Sequence, residues 1–142
     1  MATLLPASLL SAPADSATSP QTTYANQAFA ATNGNRTTRN LVVLGRNSCL
    51  NRFAAAQAQK MADQRRLFHQ SLRPIAKRCG LRAVGENVAY GYPDGKAVVA
   101  GWMKSPPHRA NILNRSYRQL AVAARQSSDG DWYVAQVFGR RR

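Results

Sequence analysis

Acidic residues are what this sequence lacks. It sets 6 of them against 20 lysines and arginines, and Glu86 is its single glutamate. The net charge is +14, and the first basic residue is Arg36, so all the positive charge falls on the part read as folded. Such a surface attracts polyanions over a range that shortens with salt. Nucleic acid, anionic lipid and the anionic polymers of a bacterial wall all meet that description. The basic residues are scattered, with Lys77-Arg78 and Arg140-Arg141-Arg142 as small clusters. That pattern reads as a solvated face with a charged tail more than as a nucleic-acid groove.

Other scarcities exclude whole classes of chemistry. No apolar run near any motif approaches the ~18–20 residues of a membrane span. Histidine occurs twice, as His69 and His108, and cysteine twice, as Cys49 and Cys79. Without a C-x-x-C there is no zinc knuckle and no thioredoxin-like motif. No glycine-rich phosphate loop is present, and Ser48, Ser105 and Ser116 lack a G-x-S-x-G setting.

What remains fits one domain. At 142 residues with 44% apolar content, the chain has room for one core and too little for two. Residues 1–23 carry the short apolar stretch Leu4 to Leu10 and a small-x-small triplet, Ala12-Pro13-Ala14. They read as a secretory leader lacking its basic first segment, or as a loose tail. The domain is expected to span residues 24–142. Its two cysteines read either as one disulfide or as two buried thiols, and the leader-like start tilts the choice to a Cys49–Cys79 bond.

Two periodicities organise the domain. Leu50, Phe53, Ala54, Gln57, Ala58 and Met61 form one face of a helix expected to open with Ser48 as its cap. A weaker helical segment covers Ala25 to Arg36. Val84 to Tyr90 suits a short strand, Asp94-Gly95 a helix start, and Ser105-Pro106-Pro107 a capped second start. Leu120 to Arg125 and Trp132 to Phe138 alternate around Asp129-Gly130 and read as a β-hairpin. Helices followed by mixed strands and helices predict an α+β domain with helices layered on a small antiparallel sheet.

His69, Glu86 and His108 sit in the most unusual local sequences. Two histidines and a carboxylate are the protein ligands of an open zinc site, and equally an acid–base set. Their spacings of 17 and 22 residues match no helical zinc motif, and a lone histidine is more often a packed side chain.

Several motifs, in order, are similar to one family. Asn33-Gly34-Asn35-Arg36 with Leu41 and Leu44 resembles an N-x-x-R…L-x-x-L opening. Val84-Gly85-Glu86-Asn87 resembles a G-E-N signature. Trp102-Met103-x-Ser105-Pro106-x-His108-Arg109-x-Asn111-Ile112-Leu113 resembles W-x-x-S-P-x-H-R-x-N-I-L, and Trp132-Tyr133-x-x-Gln136-x-Phe138-Gly139 a closing strand. Together they identify residues 33–139 as a bacterial SCP-like domain of the CAP superfamily (cysteine-rich secretory, antigen 5, pathogenesis-related). The resemblance implies a three-layer α–β–α sandwich with His69, Glu86 and His108 lining a cleft. Asn87, Ser105, Asn111 and Gln136 are its supporting residues, and Tyr90 and Tyr92 are candidates for its rim or for surface packing. Trp102 is expected in the core. In the animal and plant branches a second glutamate stands where this chain has Ser105, so a mechanism needing two carboxylates loses support.

The expectation is a monomeric domain, extracellular or envelope-associated, acting as a binding module. Zn²⁺ or another divalent metal on His69, His108 and Glu86 is its candidate cofactor. A metal-assisted hydrolase and a basic binder of cell-wall polymer or other polyanion are the alternatives.

Overall fold

A computed structural model of the chain describes Ser8 and residues 17–142. The leader-like reading therefore lies largely outside the described residues. Helix α1, Pro20–Thr37, starts four residues ahead of the expected domain boundary. Ser19 accepts the Thr22 N–H at 3.2 Å and Pro20 occupies the first turn, a combination that favours a helix start. Its buried face is Tyr24, Ala28, Thr32 and Arg36. Two of those four are polar, which is why hydrophobic periodicity gives the helix away so weakly.

Arg36 explains the N-x-x-R motif. Its buried guanidinium donates to the carbonyls of Val42 (2.9 Å), Ile112 (2.9 Å) and Asn114 (2.8 Å). Asn33 pairs with both the N–H and the C=O of Leu44, at 2.8 and 3.0 Å. Together they fasten the loop after α1 and deliver the two-residue strand β1, Gly45–Arg46, to the sheet.

Helix α2, Ser48–Gln64, has the predicted face, with Leu50, Ala54, Gln57, Ala58 and Met61 buried. Its cap is Asn47, not Ser48: the Asn47 amide oxygen accepts the Leu50 N–H at 3.0 Å. Helix α3, Arg73–Cys79, stops at Gly80, whose φ of 65° suits glycine. A Cys49–Cys79 disulfide joins the first turn of α2 to the end of α3, with Cα atoms 5.7 Å apart.

Then come β2 (Leu81–Tyr90), α4 (Gly95–Met103), α5 (Pro106–Ile112), β3 (Gln119–Gln126) and β4 (Trp132–Arg141). Asp94 caps α4 by accepting the Ala97 N–H at 2.8 Å. Ser105 stands at the cap position of α5 but its side chain makes no capping bond, so the expected serine cap is positional only. The sheet runs β1-β3-β4-β2. The three long strands are antiparallel, and β1 adds a short parallel pairing with Gln119 and Leu120.

Helices cover both faces. Leu120, Val122, Ala124, Val134 and Phe138 pack with α1, α4 and α5. Ala121, Ala123, Ala135 and Val137 pack with α2 and α3. This is the α–β–α sandwich, and it explains why alternate residues of the hairpin are apolar on both faces. Each large apolar side chain buried there contributes about 1.5–3 kcal/mol.

Candidate functional site

The cleft lies along β2, the outer strand of the sheet on the side away from β1. Pleating sends Glu86 toward the α2–α3 layer and Asn87 toward the α1–α4–α5 layer. The outward carbonyls of β2 are sealed by side chains from the second layer. Asn111 donates to Glu86 O at 3.2 Å, and the buried Trp102 indole donates to Val88 O at 3.2 Å. Gly85 has to be glycine for α5 to come this close, since a Cβ there would collide with the Tyr117 hydroxyl and crowd Asn111 Oδ1 at 3.0 Å.

His69 reaches the cleft from the loop after α2. Gln57, buried on α2, holds that loop by donating to Phe68 O at 2.6 Å. His69 Nδ1 lies 2.9 Å from Glu86 Oε1. Gln70 grips the same carboxylate twice, through its N–H to Oε1 (3.2 Å) and its amide to Oε2 (2.6 Å). Both carboxylate oxygens are thus occupied. Because an ionised carboxylate only accepts, Nδ1 carries the proton of this contact and Nε2 is left to the cleft.

His108, in the first turn of α5, is half-buried. Burial, and secondarily the nearby charge of His69, hold its pKa below the usual histidine value. His69 bonds Glu86 on one side of β2, and the His108 carbonyl accepts from Asn87 on the other. Beside His108 is a cavity of about 290 Å³, lined by Tyr90, Tyr92, Trp102, Ser105 and Leu67. Tyr90 and Tyr92 are both among its lining, and Tyr90 also stacks on Tyr133 at 5.5 Å.

Behind the cleft runs a buried amide chain. Asn87 donates to His108 O (3.1 Å) and Gln136 Oε1 (3.0 Å), accepts from Asn111 (2.9 Å), and Gln136 donates to Thr32 (2.7 Å). Asn87 and Asn111 therefore fix backbone, at His108 O and Glu86 O, while Gln136 ties the side chains of Asn87 and Thr32 together. Gln136 faces the helix layer. Gln70 and Thr32 escaped the sequence reading: Gln70's signal is only its place next to His69, and Thr32 gives none.

The histidines and Glu86 do not form a three-ligand set. Among the described residues no group of three or more His, Cys, Asp and Glu is placed to hold a metal ion. The Glu86 carboxylate instead accepts three hydrogen bonds, from His69 and twice from Gln70. Two imidazoles remain as suitable donors for a borderline metal such as Zn²⁺, with Glu86 behind one of them.

A sandwich of this topology is that of a CAP domain, and comparison with known proteins agrees. The Cysteine-rich secretory protein family (CAP) matches residues 29–138, and the chain belongs to that family. It is 31% identical over 132 residues to an uncharacterized protein of Bacillus subtilis, YkwD, covering 88% of this chain and 51% of that one. The chain thus spans about half the length of that relative. Among solved structures it is similar to an extracellular SCP-domain protein of Bacillus anthracis (28% identity, TM-score 0.74, 85% of this chain and 41% of that one). The fold is also that of an outer surface protein of Borrelia burgdorferi (22% identity, TM-score 0.73, 80% and 90% covered).

Proposed function

We propose that this is an extracellular CAP domain whose cleft binds a ligand through His69 and His108, and that a divalent metal is the ligand its donors favour. The extracellular assignment rests on the relatives' location and on the disulfide, which persists in oxidising compartments. One observation carries the binding reading. A buried carboxylate, Glu86, orients an exposed imidazole, His69, near a second imidazole, His108, whose pKa burial lowers. That is the arrangement in which a carboxylate behind a histidine orients it and raises its basicity toward a metal. His69 Nε2 and a ring nitrogen of His108 would hold the ion, which would supply Lewis acidity. With two protein ligands the site is exchangeable.

The hydrolase alternative needs Glu86 free to polarise a water, and its occupied oxygens weigh against that. The polyanion alternative has its own support: among the described residues only one arginine forms an ion pair with an aspartate, Arg65 with Asp129 at 3.6 Å. Most of the +14 surface is therefore available to a partner.

Imidazole nitrogen shifts, followed by NMR during addition of Zn²⁺, test the proposal. Nε2 of His69 should move on binding while Nδ1 keeps its proton. Unmoved imidazoles at saturating Zn²⁺ would contradict it.

A further inference from the structure

Lys77-Arg78 and Arg140-Arg141-Arg142 are far apart in sequence and adjacent in the fold. Helix α3 ends at Cys79, and the Gly80 carbonyl just after it accepts the Arg142 N–H at 3.1 Å. Strand β2 then leaves antiparallel to β4, with Leu81 opposite Arg141, Ala83 opposite Arg140 and Arg82 in the irregularity between them. The turn before β3 closes on the same place. There the Arg118 N–H donates to Gly139 O at 2.9 Å, and its guanidinium donates to the carbonyls of Arg115 (2.7 Å) and Tyr117 (2.8 Å). Arg140 donates to Ser116 O of that turn at 3.4 Å. The like charges crowd one another: desolvation first, and then the charges of Arg118 and Arg82, hold the Arg140 pKa below its usual value.

The acids stand elsewhere. Asp129 and Asp131 lie in the turn between β3 and β4, and Asp94 caps α4 beyond the far end of β2. Asp63 is in the last turn of α2, two residues before Arg65, which pairs with Asp129 at 3.6 Å. With Glu86 buried in the cleft, these complete the acids of the described residues. The ten residues of β4 set roughly 30 Å between the two ends. Helix α1 enters at the acidic end, where Tyr24 packs on Trp132 at 4.8 Å, and finishes at the basic end with Arg36.

Two apolar side chains accompany the basic end. Val42 and Val43, each more than half exposed, precede β1. Strand β1 runs parallel to β3, and Gly45 N–H bonds Arg118 O at 2.8 Å. The valines therefore come up beside the turn that carries Arg115 and Arg118. Arg36 fixes that approach by holding the carbonyls of Val42 and Asn114 on one guanidinium.

We propose that this end of the molecule docks on an anionic phospholipid surface, with Val42 and Val43 entering the interface and Arg82, Arg115, Arg118, Arg140 and Arg142 on the headgroup phosphates. The charges do not form the single row that a linear polymer follows. They span three strand positions, roughly 10 Å across the sheet, and they occupy both its faces. Arg140 shares the face of Ala83, toward α1 and α5, and Arg141 that of Leu81, toward α2 and α3. A planar array of phosphates matches such a two-dimensional patch, and exposed valines between the charges gain from an interface what a soluble polymer does not offer. The acids at the opposite end turn away from the surface and so orient the molecule on it. Neither histidine takes part, so the docking is independent of the metal reading.

Co-sedimentation of the intact protein with phosphatidylcholine vesicles, with and without phosphatidylglycerol, is the test. Binding is expected only with phosphatidylglycerol and should weaken steeply as salt rises. Arg118→Gln/Arg140→Gln, checked for folding by circular dichroism, should weaken it about fivefold for each arginine removed. Arg82→Gln/Arg142→Gln should do the same, and these exposed side chains keep folding out of the readout. Lys60→Gln/Lys96→Gln removes equal charge from the last turns of α2 and the start of α4, toward the acidic end, and should leave binding nearly unchanged. Val42→Ser/Val43→Ser should weaken vesicle binding about tenfold and leave binding to long-chain polyphosphate as it was. A chelator should change none of these values, which separates this test from that of the metal site. Equal losses from the two ends would mean that net charge alone acts, and would overturn the proposal. Vesicle binding untouched by the valine changes would overturn it too, with a soluble phosphate polymer as the occupant. So would no binding to phosphatidylglycerol vesicles at low salt.

Discussion

His69 and Glu86 meet at 2.9 Å from opposite environments: the imidazole side chain is 60% exposed and the carboxylate 1%. The acid is therefore the fixed partner and the histidine the presented one. Glu86→Gln keeps the shape but removes the charge that selects the Nδ1–H tautomer. It should weaken Zn²⁺ binding by about 10- to 100-fold without abolishing it, as read by competition with a chromophoric chelator. Complete loss would make Glu86 a direct ligand, and an unchanged affinity would remove it from the site.

The Cys49–Cys79 bond closes a separation of 30 residues. Chain entropy alone gives it about 3–4 kcal/mol. Urea denaturation with and without reductant should show a loss of that order, with Cys49→Ser/Cys79→Ser matching the reduced protein. Coincident curves would mean that packing of α3 on α2 suffices without the bond.

Burial lowers the His108 pKa, and this dictates a direction for stability against pH. The unfolded state, with its higher pKa, takes up the proton first as pH falls. Stability should therefore decline from the unfolded value of about 6.5 down to the folded one. His108→Gln should flatten that part of the profile, measured as the denaturation midpoint between pH 7 and 5. A wild-type profile indistinguishable from the variant's would contradict the assignment.

Arg36 and the amide chain are structural. Arg36→Ala strands the carbonyls of Val42, Ile112 and Asn114, and Gln136→Leu strands Thr32 and Asn87. Each should cost about 2–4 kcal/mol in chemical denaturation. Losses below about 0.5 kcal/mol would show that water replaces the lost partners.

What the sequence disclosed followed from periodicity and motif. The Leu50–Met61 face and the hairpin were legible because apolar residues repeat along them. His69, Glu86 and His108 were legible because their residue types are so scarce. Helix α3 escaped because seven residues containing Pro74 show no period, and β1 because two residues cannot. Asn47 was overlooked as a cap because Ser48 is an equally good candidate in sequence. The engaged state of Glu86 depends on Gln70, a contact made by a loop whose path is set by Gln57 far back on α2. No local pattern encodes that.

The proposed site brings two imidazoles from opposite layers to one divalent ion, with Glu86 behind them. Calorimetric titration of Zn²⁺ into the protein at pH 7.0 and again at about pH 5.5, alongside His69→Ala and His108→Ala, tests it most directly. One site per chain is expected at pH 7.0, with marked weakening at the lower pH, where protons compete with the ion for its ligands, and loss of that site in both variants. Wild-type affinity in either histidine variant would contradict it.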